Sequence, residues 1–264
     1  MYAFKYHKAA SVADAAAALS RGGDVKLLAG GQSLIAALKL RLSAPSDLID
    51  LGGIKELAGI KLEGSGITIG AMTRYAEVAR SVEVQAKIPA LASLAGGIGD
   101  RMVRNMGTIG GSLAHDDPVA DYPAAVLGLN ATVNTNQRTI AADDFFKGMF
   151  ETALQAGEII VSVSFPLPRR AAYIKFKNPA SRYAIVGVMA AETGGGVRVA
   201  VTGAASGVFR VAAMERALAA NWSPDAVAGI IVPADNLNAD LHASAEYRAH
   251  LITVMARRAV QAAS

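Results

Sequence analysis

Two glycine-centred segments carry the strongest chemical signal in this sequence. The first reads Leu28-Ala29-Gly30-Gly31-Gln32-Ser33-Leu34 and lies between an apolar run and a helix-forming run. Glycine tolerates positive φ and lets the main chain approach a ligand closely. Successive N–H groups in such a turn form a nest for an anion, and a following helix adds its positive end. Ser33 can donate its hydroxyl to a phosphate or cap that helix. Taken alone, the segment fits an ordinary strand-to-helix turn as well as a binding loop. The second reads Asn105-Met106-Gly107-Thr108-Ile109-Gly110-Gly111-Ser112-Leu113, with three glycines and two hydroxyls in six residues. No lysine follows as in a P-loop, which argues against nucleoside triphosphate hydrolysis. Neither segment fits GxGxxG, which argues against a nicotinamide Rossmann site. Together, two neutral glycine loops can solvate one diphosphate through main-chain donors; two independent tight turns are the alternative.

A third segment, His115-Asp116-Asp117-Pro118-Val119-Ala120-Asp121-Tyr122-Pro123, places a histidine beside two carboxylates. Side chains of adjacent residues diverge, so a cap on a turn or helix suits Asp116 or Asp117 better than metal ligation. Asp121 can accept hydrogen bonds from ligand hydroxyls or cap the helix that follows it. The chain has no cysteine, which excludes a thiolate nucleophile and a cysteine-bound iron–sulfur cluster within it. Its four histidines, His7, His115, His242 and His250, lack HExxH-type spacing. Redox chemistry in this chain therefore needs an organic cofactor.

These segments need elements to hold them. Ser11, with Asp14 at capping-box spacing and Gly22-Gly23 behind, predicts a helix over 11–21. Strands are predicted at Val25–Ala29 and Leu48–Leu51, with a helix from Leu34 to Leu42 that Pro45 helps to end. The middle reads as a strand at Ile67–Ala71, a helical turn at Tyr75–Ala79 and a helix at Pro89–Ala95. A glycine-rich stretch then runs from Gly96 to Ser112. Beyond it come a helix at Tyr122–Leu129 and strands at Ala131–Asn134 and Ile159–Phe165. Pro166 and Pro168 mark a boundary. The tail predicts strands near Tyr173–Phe176, Ala184–Ala191 and Val197–Thr202, then helices at Ala212–Ala220 and Ala245–Ala262. The result is an α+β chain of three subdomains, at 1–55, 56–170 and 171–264.

With 264 residues, 52% hydrophobic and 18% charged, the chain has ample material for a packed core. No apolar run approaches the ~18 residues of a membrane span. Met1–Lys8 lacks an apolar signal region and a twin-arginine pair, so the expected location is cytoplasmic. The net charge of +4 is dispersed along the chain, which predicts a solvated surface rather than a nucleic-acid stripe.

Ala29–Ser33 and Arg104–Ser112, with Pro118 and Asp121 in register behind them, resemble the FAD-binding medium subunits of molybdenum hydroxylases. That family includes aerobic carbon monoxide dehydrogenase, xanthine dehydrogenase and related aza-heterocycle and aldehyde dehydrogenases. Its pattern is AGG(Q/H/N)S, then R-N-x-G-T-x-G-G-(N/S), then a proline and an aspartate. Phe176-Lys177, Ser181-Arg182 and Ala245-Glu246-Tyr247-Arg248 extend the resemblance over nearly the whole chain. It implies a two-subdomain FAD-binding (PCMH-type) fold over 1–170 and a C-terminal α+β domain over 171–264, of the carbon monoxide dehydrogenase flavoprotein type. It implies FAD held by residues 28–34 and 108–112, that is Leu28, Ala29, Gly30, Gly31, Gln32, Ser33, Leu34, Thr108, Ile109, Gly110, Gly111 and Ser112. Asp121 would meet polar atoms of the cofactor, Ile160 would lie against the flavin or adenine, and Lys177 would be the cation near the flavin.

The resemblance also implies partners: a large subunit with the molybdenum cofactor and a small subunit with 2Fe–2S clusters, assembled as a heterotrimer or its dimer. This chain would pass electrons from those clusters to an external acceptor and would hold no acid–base catalytic residue. The sequence departs from the pattern at Met102-Val103, where the family often has glutamine. It departs again after Arg182, where Tyr183-Ala184 replaces acidic residues and leaves Tyr183 a candidate flavin contact. The absence of cysteine excludes the branch with an extra iron–sulfur insertion. Two rivals stay open: a self-contained FAD-dependent oxidase, and a flavin-free assembly or binding subunit.

Overall fold

The structure is a computed structural model and describes residues 1–263. The chain opens with β1 (Lys5–Lys8), α1 (Val12–Leu19), β2 (Val25–Leu28), α2 (Leu34–Lys39) and β3 (Asp47–Asp50). The three strands form a parallel sheet in the order β1-β3-β2. Ser11 caps α1 by accepting from the Asp14 amide at 3.1 Å. The Asp14 carboxylate does not close a capping box; it accepts from the Ala10 amide at 3.0 Å. Helix α2 ends earlier than the sequence pattern suggests. Arg41 turns left-handed at φ 60°, and the Leu42 amide closes back on the Ala37 carbonyl at 2.9 Å. This Schellman closure stops the helix before Pro45 can.

The middle subdomain contains β4 (Ile60–Glu63), β5 (Gly66–Gly70), α3 (Tyr75–Arg80), α4 (Val82–Lys87), α5 (Pro89–Gly96), α6 (Arg101–Met106), α7 (Ile109–His115), α8 (Tyr122–Gly128), β6 (Thr132–Thr135), β7 (Thr139–Ala141), α9 (Ala142–Phe145), β8 (Phe146–Gly148), β9 (Glu151–Thr152) and β10 (Ile160–Pro166). Its main sheet is antiparallel, in the order β4-β5-β10-β6-β7. Ile67, Ile69, Val163 and Phe165 bury one face of it with Leu91, Leu94, Leu113 and Tyr122 of the helices. The glycine-rich stretch before Ser112, for which the sequence predicts no element, contains α6 and α7. Asp100 caps α6 through the Val103 amide at 2.9 Å, and Thr108 caps α7 through the Gly111 amide at 3.2 Å. Gly110 is required there by packing: a Cβ would lie 2.6 Å from the Ala71 Cβ.

The last subdomain adds β11 (Arg170–Lys177), β12 (Ala184–Thr193), β13 (Gly196–Thr202), β14 (Phe209–Arg210), α10 (Ala212–Ala220) and α11 (Ala245–Ala262). The strands pair antiparallel in that order. Side chains alternate across β12. Val186, Val188 and Ala190 face Leu251, Ile252 and Met255 of α11. Met189 and Ala191 join the core of the middle subdomain. Buried Arg198 ties the two together, donating to the Leu127 carbonyl at 3.2 Å and to Asp143 at 2.9 and 2.8 Å. No helix among the described residues is long and apolar enough to cross a membrane.

Candidate functional site

The C-terminal ends of β2 and the N-terminal end of α7 bring the two glycine loops into direct contact. A Cβ on Gly30 would strike the Met106 carbonyl oxygen and would lie 2.8 Å from the Gly107 Cα. A Cβ on Gly111 would sit 3.5 Å from the Ala29 Cβ. The loops are therefore the two lips of one cavity of about 840 Å³. That size falls within the range of roughly 300–1,000 Å³ typical of ligand pockets.

The two lips differ in what they present. In the first, Gly31 takes a φ of 71°. The amides of Gly30, Gly31, Gln32 and Ser33 donate to no main-chain or side-chain acceptor among the described residues. The second lip has most of its amides engaged. Ile109 donates to the Thr73 carbonyl at 3.1 Å, Gly110 to Ala71 at 2.8 Å and Ser112 to Thr108 at 3.0 Å. Its contribution is the shape of the wall and the hydroxyls of Thr108 and Ser112. A polyanion in this cavity meets main-chain donors on one side and hydroxyls on the other.

Ala29, Gly30, Gly31, Gln32, Ser33 and Leu34 line the cavity from the first segment. Thr108, Gly110, Gly111 and Ser112 line it from the second, and Asp121 and Ile160 lie in its wall. Leu28, Ile109 and Lys177 do not line it. The Leu28 side chain packs beneath Gly31, 3.2 Å from where a Cβ would be. Ile109 is fully buried in the core of the middle subdomain. Lys177 ends β11 exposed to solvent, where the ladder with β12 shifts register between Phe176 and Lys177.

Asp121 does not cap α8. Its carboxylate, in a residue only 4% exposed, accepts from the Tyr173 hydroxyl and from Lys175 Nζ at 2.8 Å. Burial pushes its proton affinity up, and Lys175 opposes that shift. Asp117 instead caps the local turn through the Val119 amide at 3.0 Å. Asp116 is buried with one carboxylate oxygen unpartnered. Burial, then the neighbouring Asp117, push its pKa up to about 7. The His115 ring packs against Phe150, with ring centroids 5.0 Å apart.

Sequence reasoning missed several lining residues. Tyr75, at the start of α3, forms part of the wall, and burial pushes its hydroxyl up to about 12. Glu158 also reaches the wall. It is held by Arg138 at 2.9 and 3.1 Å, and that pairing pulls its pKa down to about 2. Arg182, from a motif already quoted, and Tyr183, already a candidate flavin contact, close one end of the cavity from the third subdomain. Their loop is folded on Asn178, whose side chain accepts from the Ala180 and Ser181 amides at 2.9 and 3.1 Å. Arg182 takes a φ of 63° and donates to the Gly99 carbonyl at 3.4 Å. Tyr183 is 47% exposed at this mouth. The arrangement suits a long dinucleotide, with its charge at the glycine lips and an aromatic side chain at the far opening.

Residues 2–168 match the family described as the FAD binding domain in molybdopterin dehydrogenase. The chain is 38% identical to the carbon monoxide dehydrogenase medium chain of Hydrogenophaga pseudoflava, over 98% of this chain and 96% of that one. The chain belongs to the family of FAD-binding medium subunits of molybdenum hydroxylases. It is also 36% identical to the nicotine 6-hydroxylase medium subunit of Paenarthrobacter nicotinovorans, over 98% of this chain and 96% of that one. Its fold superimposes on a chain of reconstituted carbon monoxide dehydrogenase from Oligotropha carboxidovorans with a TM-score of 0.89, at 34% identity and 98% and 96% coverage. As a medium subunit, this chain has the α+β FAD-binding fold and is part of a molybdenum-dependent oxidoreductase.

Proposed function

We propose that this medium subunit binds FAD across the two glycine lips and relays electrons from the iron–sulfur clusters of a small subunit to an external acceptor. In this reading a large subunit holds the molybdenum cofactor and oxidises the substrate, and the complex works in the cytoplasm. The observation that carries the reading is the contact of Gly30 with Met106-Gly107, which makes two distant glycine segments a single cradle.

FAD, when bound, supplies a redox centre that takes one or two electrons; the protein supplies position and electrostatics. The free amides of Gly30 to Ser33 and the hydroxyls of Thr108 and Ser112 would hold the diphosphate. Asp121 would accept from polar donors of the cofactor, and Ile160 would cover an apolar ring. Leu28 and Ile109 would act by shaping the lips from behind. Lys177 stands outside the cavity wall; Lys26 and Arg182 line the cavity, and Lys175 reaches its wall through Asp121. Tyr183 would shield the open end. Residues 1–170 would form the FAD-binding domain, and 171–264 would contribute the loop that closes its mouth.

The test is a rapid-mixing experiment on the FAD-loaded chain. Mixed with the reduced iron–sulfur subunit, its flavin absorbance bleaches at a saturable rate. Bleaching by organic substrate in the isolated chain would favour a self-contained oxidase instead.

A further inference from the structure

Beside the cavity, β11 carries Lys175, which lies outside the motifs quoted above. Tyr173 and Lys175 lie two residues apart on one face of the strand. Both reach the Asp121 carboxylate, one on each oxygen. The side chains of Lys175 and Asp121 are only 10% and 3% exposed. An ionised carboxylate offers about four acceptor positions. Tyr173 and Lys175 occupy two, and Asp121 still faces the cavity.

Resting on the FAD reading, we infer that Lys175 is a positioning residue that keeps Asp121 an anionic hydrogen-bond acceptor for the hydroxyl or imide donors of the bound flavin nucleotide. A buried carboxylate without a cation takes up a proton and becomes a donor on one oxygen. Burial already drives Asp121 in that direction, and Lys175 is the charged group that opposes it. The pairing also leaves Asp121 and Lys175 without net charge together, so the pair does not repel an anionic diphosphate.

The tyrosines facing Asp121 stay protonated near neutral pH. Tyr75 on α3 is raised to about 12 by burial. Burial also raises Tyr122 on α8 and Tyr173 on β11 well above the ordinary tyrosine range. Tyr183, from the loop before β12, is raised by burial and then by Asp117 and Asp121. Asp117 and His115 line the same cavity, and the buried Asp116 between them in sequence is raised to about 7. They are present in every variant, so a difference between profiles isolates the Lys175–Asp121 pair.

The experiment measures FAD affinity of the whole chain from about pH 5 to about pH 9. The variants are Lys175→Met, Lys175→Arg and the double variant Lys175→Met/Asp121→Asn. In Lys175→Met the Asp121 pKa rises. Binding then holds at high pH and falls as pH drops through the raised pKa, by up to about tenfold per pH unit relative to wild type. Lys175→Arg restores the wild-type profile. The double variant, in which an amide oxygen accepts at every pH, binds with a profile parallel to wild type and affinity within about tenfold of it. If Lys175→Met does not fold, the double variant decides the matter, and its failure to bind FAD overturns the inference. A Lys175→Met profile superimposable on wild type overturns the inference and leaves the FAD reading standing. A wild-type chain that takes up no FAD at any pH overturns both.

Discussion

Gly30→Ala probes the point where the two glycine lips meet. Gly30 has no positive φ to lose, so the effect is steric. The added Cβ would strike the Met106 carbonyl oxygen and lie 2.8 Å from both the Met106 carbonyl carbon and the Gly107 Cα. All three are backbone atoms, anchored behind by the Gly107 amide on the Val103 carbonyl at 2.7 Å and by the Tyr75 amide on the Gly107 carbonyl at 3.0 Å. A flexible side chain can swing aside from a new methyl, but this main chain must move. Overpacking of this kind costs about 1–3 kcal/mol. At about 1.4 kcal/mol per tenfold, that corresponds to roughly 5- to 150-fold in FAD affinity if the strain is relieved by opening the lips. The assay is fluorescence titration of the flavin-free chain with FAD, beside a denaturant midpoint. Gly229→Ala, where a Cβ meets nothing within 4 Å, is the matched control and leaves both readings unchanged. A Gly30→Ala chain with wild-type FAD affinity and wild-type stability would refute the claim that the lips form one tight cradle.

Three further outcomes follow from the packing and charges. Glu158, held by Arg138 at about 2 against an ordinary 4.5, contributes stability that is complete above about 4.5 and lost as pH falls toward about 2. With the half-exposed Arg138 partner discounted for screening, Glu158→Gln lowers stability by about 2 kcal/mol at neutral pH. Urea unfolding at neutral pH and near pH 3 checks this, and an equal loss at both would contradict it. Arg248→Met removes the donor to the Ile185 and Gly203 carbonyls at 2.7 and 3.0 Å; it lowers unfolding stability by about 3 kcal/mol, and a change under about 0.5 kcal/mol would refute that reading. Gly128→Ala brings a Cβ 2.6 Å from Met189 Cγ. Because methionine repacks, the loss in the same assay is only about 1 kcal/mol, smaller than for Gly110→Ala, whose Cβ meets the Ala71 main chain.

The glycine loops were legible as a pair, because Ala29–Ser33 and Arg104–Ser112 together match the family pattern, whereas either alone reads as an ordinary turn. Helices α10 and α11 were legible to the residue from their apolar spacing, and in α11 Ser244 caps the start through the Tyr247 amide. Helix α7 was hidden because the glycines that let it pack on Ala71 also lower its helix propensity. The early end of α2 depends on a left-handed Arg41, a conformation that residue type does not announce. The wall of the cavity was the least legible part. Asp121 meets Lys175 across 54 residues of sequence, and only the packing of α8 on the sheet of β11, β12 and β13 brings them together. The motif marks Lys177 as the expected site cation; the structure places it exposed at the end of β11 and outside the cavity lining. Tyr75 read as an ordinary helix-start residue, and nothing local marks its ring as cavity wall.

The most direct test of the central claim is the cofactor content of the purified chain. Its visible spectrum would be recorded, and the chromophore released by denaturation would be identified by mass. The account predicts a flavin spectrum with FAD near one per chain, and a lower FAD content in Gly30→Ala. A folded chain that carries no flavin and takes up no added FAD would contradict it.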